Sequence, residues 1–397
     1  MKISSLICEF DPLHKGHKYL LDTIRKSGAD CIIACMSGSF TQRGEPALFD
    51  KRTRTKAALI CGADIVIELP VTFACSGAEH FAFGGTALLD SLGIADSLFF
   101  GSECGDISMI EKAAIAAEDN EVSAETKKLL SEGMTFAAAR EKAVRNISGN
   151  ETADIMQKPN NILGIEYVKA LHRLKSGIIP NTICRIGADH DSMETDKSAV
   201  SASFIRELYI SGGDISDYIP KPAAELFSGY TKAPKGQSRL SRLETVMLFR
   251  LRTMTKEELS LLPDISEGLE NRIYKAVRSE VSIEGILKSV KAKRYPMARL
   301  KRALAHALLG ITKEEYLIKP QYIRILGFNG TGRELLHEIK RRSSLPVIST
   351  LSKLPPLSEE GIKLLELESR CDDIYNLSGS EIIPCGENIT GGIVTIM

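Results

Sequence analysis

Leu6-Ile7-Cys8-Glu9-Phe10-Asp11-Pro12-Leu13-His14-Lys15-Gly16-His17-Lys18-Tyr19-Leu20 is the stretch that decides the fold. An apolar, β-branched run from Ile3 to Ile7 breaks at Asp11-Pro12. An amphipathic helix follows, with Tyr19, Leu20 and Ile24 on one side and Lys18, Asp22 and Arg25 on the other. The reading is strand, tight loop, helix. Free N–H groups and the positive end of the helix dipole make such a loop an anion site. His14 and His17 stand three residues apart, so one turn of backbone can aim both imidazoles at a single phosphate, and Gly16 keeps a side chain out of the way. Taken alone, a His-x-Gly-His string more often only caps a helix. The strand before it and the helix after it favour phosphate.

Outward from this stretch, strand and helix alternate. Cys31 to Met36, Asp64 to Leu69 and Ser97 to Phe100 read as buried strands, with helices over Lys51 to Cys61 and Ala78 to Leu92 between them. Continuous apolar strands separated by helices predict an α/β, Rossmann-like parallel sheet with helices on both faces. Ligands in such sheets lie beyond the carboxyl ends of the strands, where strand order reverses. The residues there are Glu9 to His17, Ser37 to Gly44, Glu68 to Pro70 and Gly101 to Glu103. Lys51 and Arg54 open the next helix, either as a solvated basic turn or as ligand contacts, which their place at the strand ends favours. Residues from about 106 to 158 read as a helical insertion or covering layer. Asn160-Asn161 opens a further helix, Asn181 to Ile186 is a last strand, and Ser198 to Ile210 a helix entered through Ser201 and Ser203.

With 51 basic and 51 acidic residues among 397, the chain is neutral overall, but its charge is segregated. From Gly229 to Arg302 there are 17 Lys or Arg against 8 Asp or Glu. Beyond the Pro-bounded junction Tyr218 to Pro234 the periodicity is helical, which predicts an α/β domain over residues 1–217 and a mainly helical, basic C-terminal region over 218–397. Lys291, Lys293, Arg294, Arg299 and Arg302 surround Tyr295 at a helix start, a basic patch with an aromatic for stacking on an unpaired base. Short strands are expected within Tyr322 to Phe328, Pro346 to Ile348 and Thr390 to Ile396. The nine cysteines include no C-x-x-C pair, so reduced thiols and no zinc site are expected. The start of the chain has no leader pattern and no stretch is long and apolar enough for a bilayer, which together predict a cytoplasmic protein with no membrane partner.

His14-Lys15-Gly16-His17 resembles the HxGH signature of the nucleotidylyl transferase superfamily, and Ser201-Ala202-Ser203-Phe204-Ile205-Arg206 resembles its second motif. The similarity then becomes more specific. Cys8 to His17, Met36 to Pro46, Asp50 to Arg54, Ile67 to Pro70, Phe100 to Glu103, Asn160 to Tyr167, Lys293 to Tyr295 and Tyr322 to Asn329 together resemble the tRNA(Met) cytidine acetate ligase family. Asp11 and Leu13 stand where that family more usually has Asn and Phe, and Ser39 where Asn is common. The resemblance implies an enzyme that joins ATP and acetate into acetyl-adenylate and passes the acetyl group to N4 of the wobble cytidine of elongator tRNA(Met). It implies ATP as substrate with Mg²⁺ travelling on it, and no protein partner. The implied catalytic residues are His14 and His17. The implied ATP site is the loop from Ile7 to Leu20 (Lys15 and Lys18 included), with Gly101, Asn160, Asn161 and Arg185, and more weakly Ser201, Ser203 and Arg206. Two other readings start from the same residues. One is a small-molecule adenylyltransferase, which has no need of a basic helical half. The other is a non-catalytic RNA-binding protein, against which the intact His14, Gly16 and His17 speak.

Overall fold

The computed structural model describes residues 1–185, 200–350 and 354–396. Ile186 and Ser198, expected limits of the last strand and the following helix, lie outside the described residues.

Five strands run parallel in the order β5-β4-β1-β2-β3, where β1 is Ile3–Cys8, β2 Cys31–Ser37, β3 Ile65–Leu69, β4 Ser97–Ser102 and β5 Ile179–Cys184. Both faces are covered, and alternation along each strand decides which residue goes where. In β2, Ile33 and Cys35 join a core with the helices Ala78–Ser91 and Pro159–Leu174. Ile32, Ala34 and Met36 face the opposite core, with Leu21 and Ile24 of the helix Lys15–Lys26, Ala57 of Lys51–Ile60 and Ile205 of Ala202–Ile210. The chain leaves β1 toward β2 and β3 but returns on the other side for β4, so strand order reverses between β1 and β4. That crevice is the ligand position of a doubly wound sheet. The helices Ile107–Glu118, Asn120–Ser131, Phe136–Ser148 and Asn150–Ile155 form the expected covering layer; the last three share a small core around Val122, Leu129 and Val144.

The sheet is not purely parallel. β6 (Ile323–Phe328) adds antiparallel to β3, and β7 (Val347–Ile348) and β8 (Val394–Thr395) each pair parallel with β6. The short strands expected late in the sequence therefore complete the first-half sheet, and a division at 217/218 does not separate the strands. Gly327 is needed there: a Cβ would stand 2.6 Å from Thr55 Cγ2 and 2.7 Å from the Val394 carbonyl. A block of helices has its own core from Leu243 to Leu308. The helix Glu359–Asn376 ties block and sheet together, burying Leu364, Leu367 and Cys371 among Phe40, Val71, Ala305 and Leu309.

Candidate active site

The helix Lys15–Lys26 begins with an unusual cap. His14 Nδ1 accepts the Gly16 N–H at 3.1 Å, and His17 Nδ1 accepts the His14 N–H at 3.3 Å. This is the reciprocal arrangement of a capping box, built from imidazoles. With both Nδ1 atoms accepting, each neutral ring carries its proton on Nε2 and has only that N–H to offer a ligand. The rings stack 3.8 Å apart, and Phe10 packs edge-on against His17. Gly16 makes room for the cap itself, since a Cβ would come within 2.9 Å of His14 Cε1. Burial, then the nearby Arg185 charge, lowers the His14 pKa to about 4. Burial, then His14 and Arg185, holds His17 well below its ordinary value. The two rings are therefore neutral donors at physiological pH.

These histidines line a cleft of about 520 Å³ with Gly16, Tyr19, Leu20, Gly101, Ile183, Cys184, Arg185 and Val200. It lies at the β1/β4 crossover. Gly101 lets the Arg185 side chain lie across the end of β4, its hypothetical Cβ being 3.1 Å from Arg185 Cγ. Arg185 supplies the formal positive charge of the lining, and the helix N-terminus supplies partial charge. Such a surface suits a polyphosphate. Ile183, Cys184 and Val200 were not expected from the sequence, because an apolar residue at a strand end gives no signal of what it will line.

Other expected site residues do different work. Ile7 and Cys8 belong to β1, and Phe10 and Leu13 are buried in the core. Asp11 accepts the Leu48 N–H at 2.7 Å and pairs with Arg206 at 3.5 Å, so its charge is turned away from the cleft and neutralised. Arg206 also donates to the Asp11 carbonyl at 2.7 Å. Lys15 is exposed, and Lys18 pairs with Asp22. Asn160 and Asn161 clamp the loop after β4: Glu103 accepts from both their N–H groups and from Asn160 Nδ2, and Asn161 Oδ1 accepts from the Glu103 and Cys104 N–H groups. Ser201 caps its helix by accepting the Phe204 N–H, and its hydroxyl lies 3.1 Å from that of Ser203. Among the described residues no group of three His, Cys, Asp or Glu side chains is arranged to hold a metal, and no helix is long and apolar enough to cross a membrane.

Lys51 and Arg54 are not a solvated turn. Arg54 is fully buried and donates to the carbonyls of Glu9, Ser37, Gly38 and Phe49, pinning the ends of β1 and β2. Lys51 lies between Glu68 and Asp372, 2.5 Å from each. Arg324 meets Glu68 from β6 at 2.9 Å.

The basic patch also divides. Tyr295 is only 4% exposed, and its hydroxyl donates to the Glu267 carbonyl, so it cannot stack on a base. Arg299 donates to the Asp264 carbonyl and Ser266 Oγ, and Arg302 pairs with Asp264. Lys291, Lys293 and Arg294 remain exposed on the turn between two helices. The exposed aromatic of the helical block is Phe249, 67% accessible, with Arg252 exposed three residues on in the same helix and Arg242 exposed at the end of the short helix before it.

The family described as HIGH nucleotidyl transferase matches residues 1–384. The tRNA(Met) cytidine acetate ligase of Thermoanaerobacter sp. (strain X514) is 41% identical over 386 residues, covering 95% of this chain and 96% of that protein. The protein of the same name from Acetivibrio thermocellus is 39% identical over 393 residues, with 94% of each chain covered. The chain belongs to the tRNA(Met) cytidine acetate ligase family. Among solved structures, Thermotoga maritima TmcAL bound with alpha-thio ATP superposes with a TM-score of 0.89 at 29% identity, and its apo form with 0.92 at 30%, each covering 100% of both chains. Membership makes the protein a ligase on a nucleotidyl transferase fold, with ATP as substrate. The similarity runs through the helical block as well, so the small-molecule adenylyltransferase alternative is not favoured.

Proposed function

We propose that the protein activates acetate with ATP and transfers the acetyl group to N4 of the wobble cytidine of elongator tRNA(Met). The carrying observation is the pair of neutral Nε2–H donors on His14 and His17 at the β1/β4 crevice. An acetate oxygen attacks the α-phosphorus in line, the α–β bridging bond breaks, and pyrophosphate leaves with the electron pair. Charge grows on the phosphoryl oxygens in that step, where two fixed donors, a helix N-terminus and Arg185 stabilise it. Neutral imidazoles suit this role, since their donation does not depend on pH in the working range. Mg²⁺ travels on the ATP phosphates.

The test follows the acyl source. Isotopic label in acetate is expected to reach the cytidine in an ATP-dependent reaction, and label in acetyl-coenzyme A is not. Transfer from acetyl-coenzyme A alone overturns the ligase reading.

In this reading the exposed Lys291, Lys293 and Arg294 carry tRNA backbone contacts. Each cation that meets a phosphate releases counterions, so changing all three to Ala is expected to weaken tRNA binding and lower its salt slope by about one per phosphate lost. Acetyl-adenylate formation without tRNA is expected to survive, because none of the three lines the cleft. Titrating tRNA at several salt concentrations checks this, and an unchanged slope assigns the cluster to a solvated surface.

A further inference from the structure

Acetyl transfer to an amine needs a proton acceptor. As the cytidine N4 attacks the acetyl carbonyl carbon, a C–N bond forms, the acyl C–O bond to AMP breaks with the electron pair leaving on AMP, and N4 must shed a proton. His14 and His17 cannot take it, since their Nδ1 atoms already accept backbone N–H groups and their Nε2 atoms carry hydrogen. We propose that Glu9 is the catalytic base of the transfer step. The inference rests on the acetate-ligase reading and assigns the proton within it.

Elimination leads to this residue. Carboxylates stand at or near the carboxyl ends of β1 to β4, and most are committed. Asp11 is held by the Leu48 N–H and Arg206, and Glu45 pairs with Lys301 at 2.6 Å. Asp50 caps its helix through the N–H groups of Arg52 and Thr53. Glu68 lies between Lys51 and Arg324, and Glu103 holds Asn160 and Asn161. Asp50 and Glu103, like Glu9, have no cation within ion-pair distance among the described residues, but both oxygens of each are taken up in hydrogen bonds to Arg52, Thr53, Asn160 and Asn161. Glu9 differs in having one oxygen free among the described residues. Its Oε1 accepts the Gln42 N–H at 2.6 Å, and its second oxygen has no hydrogen-bond partner there. It is half-buried at the end of β1, where the chain turns into the histidine loop. Arg206, one of the charges that act on Glu9, also lines a groove with Glu45, Leu48, Ser238 and Leu240, where the helical block meets the nucleotide fold.

Burial raises the Glu9 pKa, partly offset by the Gln42 N–H; Asp11 raises it further, while Arg206 and Arg54 lower it. Cys8, Cys75 and Tyr167 are its other titratable neighbours, and burial holds all three above their ordinary values, so they stay protonated. A base with a raised pKa is better matched to taking a proton near neutrality, and general base catalysis contributes about 10²–10⁴-fold.

The experiment separates the half-reactions in the full-length protein. Acetyl-adenylate is allowed to form from ATP and acetate, tRNA is then mixed in, and acetylcytidine is quantified in a single turnover. E9Q is expected to slow transfer about a hundredfold, and by far more than it slows adenylate formation. Wild-type transfer is expected to rise with pH through an inflection above the usual carboxylate range, absent in E9Q and restored in part by E9D. Equal losses in both half-reactions, or transfer at the wild-type rate, overturn the assignment. A pH-independent wild-type transfer rate does so even if E9Q fails to fold. Absence of acetate-dependent adenylate in the wild type is a different failure, of the acetate reading itself.

Discussion

His17→Ala is expected to cut the rate of acetyl-adenylate formation at least about a hundredfold, because removing one fixed donor from a site of developing charge commonly costs about 3 kcal/mol in the transition state. The structure adds a control. His17 also serves the helix cap, accepting the His14 N–H, so alanine removes a cap contact worth about 1 kcal/mol as well as a phosphate donor. Gln at this third helical position can accept the same N–H, as in ordinary capping boxes, but has no Nε2–H in the ring position. H17Q is therefore expected to recover the thermal midpoint lost in H17A while staying slow in acetate-dependent pyrophosphate exchange. If H17Q restores the exchange rate too, the residue acts through the cap and not on phosphate.

Lys51→Ala is expected to destabilise the fold by about 3–5 kcal/mol, the usual consequence of removing one partner from a buried ionic cluster. Five ionisable side chains meet there: Lys51 and Arg324 against Glu68, Glu368 and Asp372, all nearly inaccessible. Two cations balance two carboxylates. Burial first, then the Glu68 charge, raises the Glu368 pKa to about 8, so this carboxyl is the protonated member at neutral pH. Burial also raises Asp372, whereas Arg324 and Lys51 outweigh the burial of Glu68 and bring its pKa below the ordinary value.

The sign of the pH dependence follows. A lowered Glu68 pKa contributes stability present above the unfolded value and lost as pH falls through the folded one. Lys51→Ala removes the lysine's share of that contribution, Arg324 keeping its own, and pushes all three carboxyls toward the protonated form. The penalty is then expected to shrink from pH 8 to pH 5, where protons replace the missing ammonium. Urea midpoints of wild type and K51A at both pH values measure it, and K51A/D372N is expected to regain part of the loss at pH 8. A penalty that grows toward pH 5 contradicts the arrangement. The cluster also explains Gly38, whose Cβ would lie 2.8 Å from Glu368 Oε1 and 2.9 Å from Glu68 Oε1.

Local chemistry was enough to determine much of this protein. The period of the apolar residues specified five strands and the helices between them. The Asp11-Pro12 break, the short His-x-Gly-His spacing and the helix after it placed the histidine loop at a helix N-terminus, where His14, His17, Gly101 and Arg185 line one cleft. Each of those features acts within a few residues, so sequence order preserves it. Tertiary structure decided the rest. Lys51, Arg54, Tyr295 and Arg299 look alike on the page, as polar or aromatic residues at helix starts, and they are separated only by what approaches from far along the chain. Asp372, 321 residues from Lys51, makes a buried counter-ion of a lysine that the sequence left open between a solvated turn and a ligand contact, and the carbonyls of Asp264 and Glu267 take up Arg299 and Tyr295. The same holds for β6, a short apolar run whose partner β3 lies more than half the chain away. Short-range periodicity carries no information about which distant group will pay for burying a charge, and so the histidine loop was legible while the groups that hold its surroundings rigid were not.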